Sequence, residues 1–175
     1  YQNAPRGEVS GIEVEVRKRF DFISDRLRNF SGGFNYTWIE SSVDITPSEL
    51  AFIRFYEPNA EATRELAGQS PYVANVDLTF NHSRWGTTFS VYYNIFGERL
   101  SQVSPPGTPN VFEQPAPTLD VIWSQKVSDR WKLTLSAKNL FDDAAEQTYT
   151  YRGIEYLRAS HRRGITSSLG VSYTY

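Results

Sequence analysis

The chain of 175 residues has no cysteine, no methionine and little net charge. Without cysteine it has no disulfide scaffold, thiolate zinc site or cysteine nucleophile. Its 18 Lys and Arg nearly balance 20 Asp and Glu, for a net charge of -2, so we expect no nucleic-acid partner. It also lacks the run of about 18 apolar residues that a membrane-spanning helix needs.

The N-terminal residues carry neither an initiator methionine nor the apolar core of a signal peptide. We therefore expect a fragment or a processed chain. No glycine-rich phosphate loop is present, and His82 and His161 lie in separate connecting segments. The sequence thus predicts no catalytic residue, no metal site and no cofactor.

What the chain does contain is aromatic residues, at 15% of the total, set in segments that alternate between apolar and polar. In the last segment Ile165, Leu169 and Val171 share one parity, and Ser168 and Gly170 share the other. Period two is typical of a strand with one apolar and one polar face. Seven such segments occur, at about 10–20, 29–43, 72–82, 87–96, 117–127, 131–141 and 163–175. Among the central positions on the apolar sides of these segments, only Lys18, near the end of the first segment, is charged.

The connections between these segments alternate strictly between short and long. Short links span 21–28, 82–86 and 128–130, and long ones span 44–71, 97–116 and 142–162. All short links therefore lie at one end of the sheet, as in outer-membrane barrels, whereas a β-sandwich has no reason to sort its loops by length. Aromatic residues cluster near both strand ends, as at two bilayer interfaces. We also expect a short helical turn within residues 58–66.

These observations predict an all-β antiparallel meander that forms part of a transmembrane outer-membrane barrel. Single-chain bacterial barrels usually have an even strand number, and open edges are not tolerated in lipid. We therefore expect the seven strands to be a fragment completed by other strands of a longer chain. Val121→Arg, on the apolar row, should impair membrane insertion, whereas Ser124→Arg, on the polar row, should be tolerated.

Two sets of candidate functional residues follow from this arrangement. Tyr and Arg are favoured where a ligand is held, and long loops are often functional. The candidate extracellular-loop ligand contacts are Tyr56, Tyr149, Tyr151, Arg152, Tyr156, Arg158 and Arg162. The candidate lumen-lining residues are Glu13, Glu15, Asn75, Asp77, Ser90, Asn94, Asp120, Thr134 and Ser136. A glycosidase-like role for the two glutamates would need a cleft, so we favour charge pairing in a lumen.

Four motifs, in order, resemble TonB-dependent outer-membrane receptors. They are the glycine-led glutamate alternation at 11–16, the strand re-entry at 66–75, the Asn139-Leu140-Phe141-Asp142 strand end, and the final strand ending on Tyr175. The family usually ends on Phe, so Tyr175 is a mild departure. The resemblance implies that residues 1–175 are the last seven strands of a 22-stranded barrel, without the plug domain and the TonB box of the family's N-terminus.

The resemblance also implies a function and a set of partners. We expect a nutrient receptor in the outer membrane of a Gram-negative-type bacterium, taking up a siderophore, vitamin, glycan or peptide, and no enzymatic activity. Its partners would be outer-membrane lipid, the plug domain and remaining strands of the same chain, the TonB complex, and the barrel-insertion machinery, which would recognise Tyr175. Two alternatives stay open, a passive porin-like channel and a soluble β-sandwich that binds carbohydrate.

Overall fold

A computed structural model of the chain describes residues 5–56, 58–105 and 107–175, with Tyr56 described for its backbone alone. Short 3₁₀ turns at Phe20–Phe22 and Asp25–Leu27 follow the first strand. The elements are β1 (Gly7–Arg19), β2 (Phe30–Asp44), α1 (Pro47–Tyr56), β3 (Thr63–Arg64), β4 (Tyr72–His82), β5 (Thr87–Phe96), β6 (Arg99–Gln102), β7 (Val111–Glu113), β8 (Thr118–Lys126), β9 (Trp131–Lys138), β10 (Ala145–Tyr151), β11 (Ile154–His161) and β12 (Thr166–Tyr173).

Seven long strands form the main sheet in the order β1-β2-β4-β5-β8-β9-β12, and every neighbouring pair is antiparallel. The two-residue strand β3 extends the sheet beside the end of β2. Because each long strand pairs with the next one along the chain, the sheet is a meander, and the predicted fold class is confirmed. The sheet does not close on itself, so β1 and β12 are its two edges.

The second and third long connections are not loops, as we had expected, but β-hairpins. β6 pairs with β7, β10 pairs with β11, and β7 joins the two hairpins through β10. The second sheet has the strand order β6-β7-β10-β11. These strands are the neighbours in the chain of the main strands β5, β8, β9 and β12, respectively, and they follow the same order across the sheet. Alternating Thr and Tyr residues at 148–151 favour an extended chain. The strands thus continue past the main sheet at the long-connection end.

The first long connection contains the helix α1, and the helical turn predicted within 58–66 is wrong. Thr46 is the N-cap, because its hydroxyl accepts a hydrogen bond from the backbone N–H of Glu49 at 3.4 Å. Pro47 occupies the first helical position, where the missing N–H costs nothing, and Glu49 completes the Thr-x-x-Glu pattern of a capping box. These start signals lie upstream of the residues in which we expected the helix.

The register of the main sheet puts the apolar residues on one face. Phe80, Phe89, Trp123 and Leu135 are directly opposite one another across four strands, and Leu169 continues this row on β12. This face is largely exposed; Phe89, Leu135 and Leu169 are 40%, 42% and 65% accessible. The buried apolar residues instead lie at the long-connection end; they are Val43, Leu100, Val111 and Ala145. An apolar face open to its surroundings is what a lipid-facing wall requires.

The Asn139–Asp142 motif forms the junction between the two sheets, so β9 ends at Lys138 rather than at 141 as expected. Asn139 and Asp142 both have positive φ, 59° and 45°, which breaks the strand. The amide Nδ2 of Asn139 donates to the carbonyl of Gly164 at 2.9 Å, and Asp142 Oδ1 accepts from the N–H of Gly164 at 2.9 Å. The Asn139 N–H itself donates to Asp120 Oδ1 at 2.9 Å.

Candidate ligand cavity and polar sheet face

A line of hydrogen-bonded side chains crosses four strands on the polar face of the main sheet. Glu13 Oε1 accepts from Asn35 Nδ2 at 2.6 Å. Asn35 Oδ1 accepts from Asn75 Nδ2 at 3.3 Å, and Asn75 Oδ1 accepts from Asn94 Nδ2 at 2.6 Å. Asn35 and Asn75 each donate and accept, so the line fixes the orientation of both amides.

A second row on the same face contains ionisable side chains from four strands. Arg17 donates from Nε to Glu15 Oε1 at 2.6 Å. A Cβ atom on Gly33 would collide with the carboxylate of Asp77, so the glycine makes room for this side chain. Tyr92 is opposite Asp77 and belongs to this face, although we had not predicted it as a lumen residue. Register places the row in the order Arg17, Gly33, Asp77, Tyr92 and Asp120.

A third group of small hydroxyl side chains continues this face toward the short-turn end. Thr79 and Ser90 are hydrogen-bonded through their hydroxyls at 2.9 Å, and Ser136 is bonded to Ser168 at 2.7 Å. Thr134 is opposite Gly170. The strand register therefore puts all nine candidate lumen-lining residues on one polar face, opposite the apolar rows.

Several candidate ligand contacts lie on strands rather than on loops, and neighbouring side chains engage them. The rings of Tyr149, on β10, and Tyr156, on β11, stack at a centroid distance of 5.4 Å. Arg158 Nη1, also on β11, donates to Gln102 Oε1 at 2.6 Å. Arg162 Nη1 lies 3.9 Å from Asp142 Oδ2. Tyr56 ends α1, and its side chain lies outside the described part of the molecule.

All three long connections contribute to one cavity of about 670 Å³ at the end of the sheet. Of the predicted ligand contacts whose side chains the structure describes, it includes only Tyr151 and Arg152, at the turn between β10 and β11. The other lining residues are Ile45, Glu49, Ile53, Arg64, Ser104, Pro105, Gly107, Thr108, Pro109, Asn110, Thr150 and Gly153. Sequence patterning did not identify these, because no local signal shows that residues far apart in the chain meet.

The charged side chains that line this cavity are one carboxylate, Glu49, and two guanidinium groups, Arg64 and Arg152. Arg64 Nη1 and Glu49 Oε1 form an ion pair at 2.6 Å, and both side chains are largely covered, so these two charges compensate each other. Arg152 has φ of 53° in the tight turn, and its guanidinium lies 5.3 Å from the ring centroid of Tyr151. Within residues 5–56, 58–105 and 107–175 no carboxylate pairs with Arg152. Among the described residues that line the cavity, the uncompensated charge is therefore positive.

Comparison with known protein families identifies the chain. The family model described as "TonB dependent receptor-like, beta-barrel" matches residues 1–140. The chain belongs to this family. The match covers every strand of the main sheet except β12, which pairs with β9 along its whole length and continues the meander. Searches of curated proteins and of solved structures found no match.

Membership in the TonB-dependent receptor family establishes the general role of this barrel segment. The family comprises outer-membrane receptors and transporters of Gram-negative bacteria, which work with a plug domain and TonB and are not enzymes. In the part of the chain that the structure describes, no group of three or more His, Asp or Glu residues could hold a metal ion. No helix among the described residues is long and apolar enough to cross a membrane.

Proposed function

We propose that this chain is the C-terminal part of an outer-membrane receptor for TonB-dependent uptake of a nutrient. The observation that carries the proposal is that three long connections of one barrel segment meet at a single cavity. Nutrient capture needs a site outside the membrane, and connections that emerge at one end of a barrel can form it. The cavity volume of about 670 Å³ falls within the usual range for small-molecule sites, about 300–1,000 Å³.

Within this proposal Tyr151 and Arg152 are the first ligand contacts. Tyr151 is 48% accessible and presents its ring beside the guanidinium of Arg152. Tyr149, Tyr156 and Arg158 would support this turn. The two tyrosines stack between the two strands of its own hairpin, and Arg158 donates a hydrogen bond to Gln102 of the other hairpin. Arg162 would act at the junction below them, close to Asp142.

The polar face of the main sheet would form the lumen wall of the complete barrel. Its amides and hydroxyls are already paired with one another across the strands, so the wall is rigid before any ligand arrives. The plug domain and the remaining strands would come from other parts of the full-length chain. Tyr175, whose ring packs edge-on against Tyr173 at 5.3 Å, would provide the aromatic signal for the barrel-insertion machinery.

A growth experiment in the source bacterium tests this function. A strain lacking the full-length receptor is grown with iron siderophores, cobalamin, oligosaccharides or peptides as the limiting nutrient, beside a strain that lacks TonB. We expect one nutrient to fail in both strains and to be restored by the wild-type receptor. The Arg152→Ala variant should restore growth only at raised nutrient concentration, and Arg54→Ala, a cation of the same connection end that does not line the cavity, should restore it fully.

Other outcomes identify the alternatives. Uptake that is lost with the receptor but persists without TonB would contradict the proposal and favour a passive porin-like channel. A soluble product that binds carbohydrate would favour a β-sandwich module. The receptor-deficient strain could grow normally on every nutrient while the TonB-deficient strain is impaired. That outcome would show that another receptor takes up these nutrients.

A further inference from the structure

Charge is distributed unevenly between the two ends of the sheet. The short-turn end, comprising the three short connections and the strand residues beside them, carries mostly cations. The cations are Lys18, Arg19, Arg26, Arg28, Arg84, Lys126, Arg130 and Lys132, and the anions are Asp21, Asp25 and Asp129. Because the whole chain has a net charge of -2, the acidic excess must lie elsewhere, toward the long connections.

The turn between β1 and β2 combines this positive charge with exposed apolar side chains. Phe22 and Ile23 are 64% and 62% accessible, although the turn is held in place by a hydrogen bond from the Ile23 N–H to the Phe20 carbonyl at 3.1 Å. Lys18 Nζ lies 5.4 Å from the ring centroid of Phe22. Exposure of two hydrophobic side chains in an ordered, cationic turn is unfavourable in water. At the surface of a bilayer the apolar side chains can enter the lipid while the cations stay at the headgroups.

The turn also faces the lipid side of the wall. Lys18 shares the parity of Val14 and Val16, and the ring of Phe20 fills the space above Gly32 on the same apolar face. Lys126 and Lys132, by contrast, are directly opposite each other on the polar face. Lys18 therefore lies on the lipid-facing side of this end, and Lys126 and Lys132 lie on the lumen-facing side.

We propose that the β1–β2 turn is a binding site for the anionic headgroups of phospholipids, in the leaflet at the short-turn side of the membrane. Phe22 and Ile23 insert among the acyl chains, and Lys18 and Arg28 bind the phosphate groups. The guanidinium of Arg19 already has protein partners, because it lies 3.8 Å from the Asp21 carboxylate and donates a hydrogen bond to the carbonyl of Arg28 at 3.5 Å. Lys18 and Arg28 have no carboxylate partner among the described residues.

The experiment measures lipid preference in the full-length receptor. The protein is reconstituted into phosphatidylcholine bilayers with or without phosphatidylglycerol, and native mass spectrometry counts the lipids that stay bound. The test variant is Lys18→Gln with Arg28→Gln. The matched control is Lys126→Gln with Lys132→Gln, which removes the same charge at the same end but on the polar face.

We expect the test variant to lose its preference for phosphatidylglycerol by about fivefold for each cation removed, since each cation near an anionic surface contributes about 1 kcal/mol. The control should keep the wild-type preference. The charge-preserving variant, Lys18→Arg with Arg28→Lys, should keep it too, which separates loss of charge from misfolding. An unchanged preference in the test variant would overturn the proposal. An equal or greater loss in the control would also overturn it and favour an acidic protein segment at the lumen-facing lysines.

Discussion

Replacement of Val121 by arginine tests the assignment of the two faces. Val121 is opposite Val91 and Ala137 on the apolar face. It lies five residues from Lys126, the last residue of β8. At about 3.4 Å per residue and a tilt of about 40°, this separation is roughly 13 Å in height, close to half of the apolar band of about 25 Å. Arginine at that depth on the lipid face costs about 2–4 kcal/mol.

The matched control is Ser136→Arg, because Ser136 is opposite Ile122 at nearly the same depth but on the polar face. The assay is reversible unfolding of the full-length receptor from phospholipid vesicles in denaturant. We expect Val121→Arg to shift the folding equilibrium by roughly 30- to 900-fold, which corresponds to that free-energy cost. Ser136→Arg and Ser124→Arg should change it by much less. Equal losses for the apolar-face and polar-face variants would refute the face assignment.

Three further predictions concern backbone and loop stability in the full-length receptor. Gly11→Ala should cost about 1–3 kcal/mol of unfolding free energy, because its Cβ would lie 2.6 Å from a backbone carbonyl of the neighbouring strand, whereas Gly170→Ala, with its nearest atom at 3.8 Å, should be nearly neutral. Glu49→Gln removes the partner of Arg64, so hydrogen exchange of the loop helix should accelerate; unchanged exchange would contradict the role of the ion pair. Asn139→Gly should keep the positive φ but lose the side-chain hydrogen bond, so its denaturation midpoint should fall less than that of Asn139→Ala; the reverse order would refute this account of the junction.

The main sheet could be predicted because its determinants are local. Alternation with period two fixes which side chains share a face, and each of the three short turns brings the two strands that it joins side by side. Lys18 illustrates how closely the pattern holds, since it lies on the apolar face but at the strand end, where its charge can reach water.

The cavity could not be predicted in the same way. The Glu49–Arg64 ion pair joins residues that no periodic pattern links, and the presence of Arg152 in the same cavity depends on how three connections fold together. Two local signals could have improved the prediction. The Thr46–Glu49 capping box marks the start of the loop helix, and the Thr and Tyr alternation at 148–151 marks a hairpin strand.

The state of the native protein in fractionated source cells tests the central claim most directly. An antibody raised against this segment is used to detect the polypeptide in each fraction, in unheated and boiled samples. We predict a band in the outer membrane, several times larger than 20.0 kDa and shifting in mobility on heating, as a folded barrel does. A soluble band near 20.0 kDa without a heat shift would contradict the account of this chain as part of a membrane barrel.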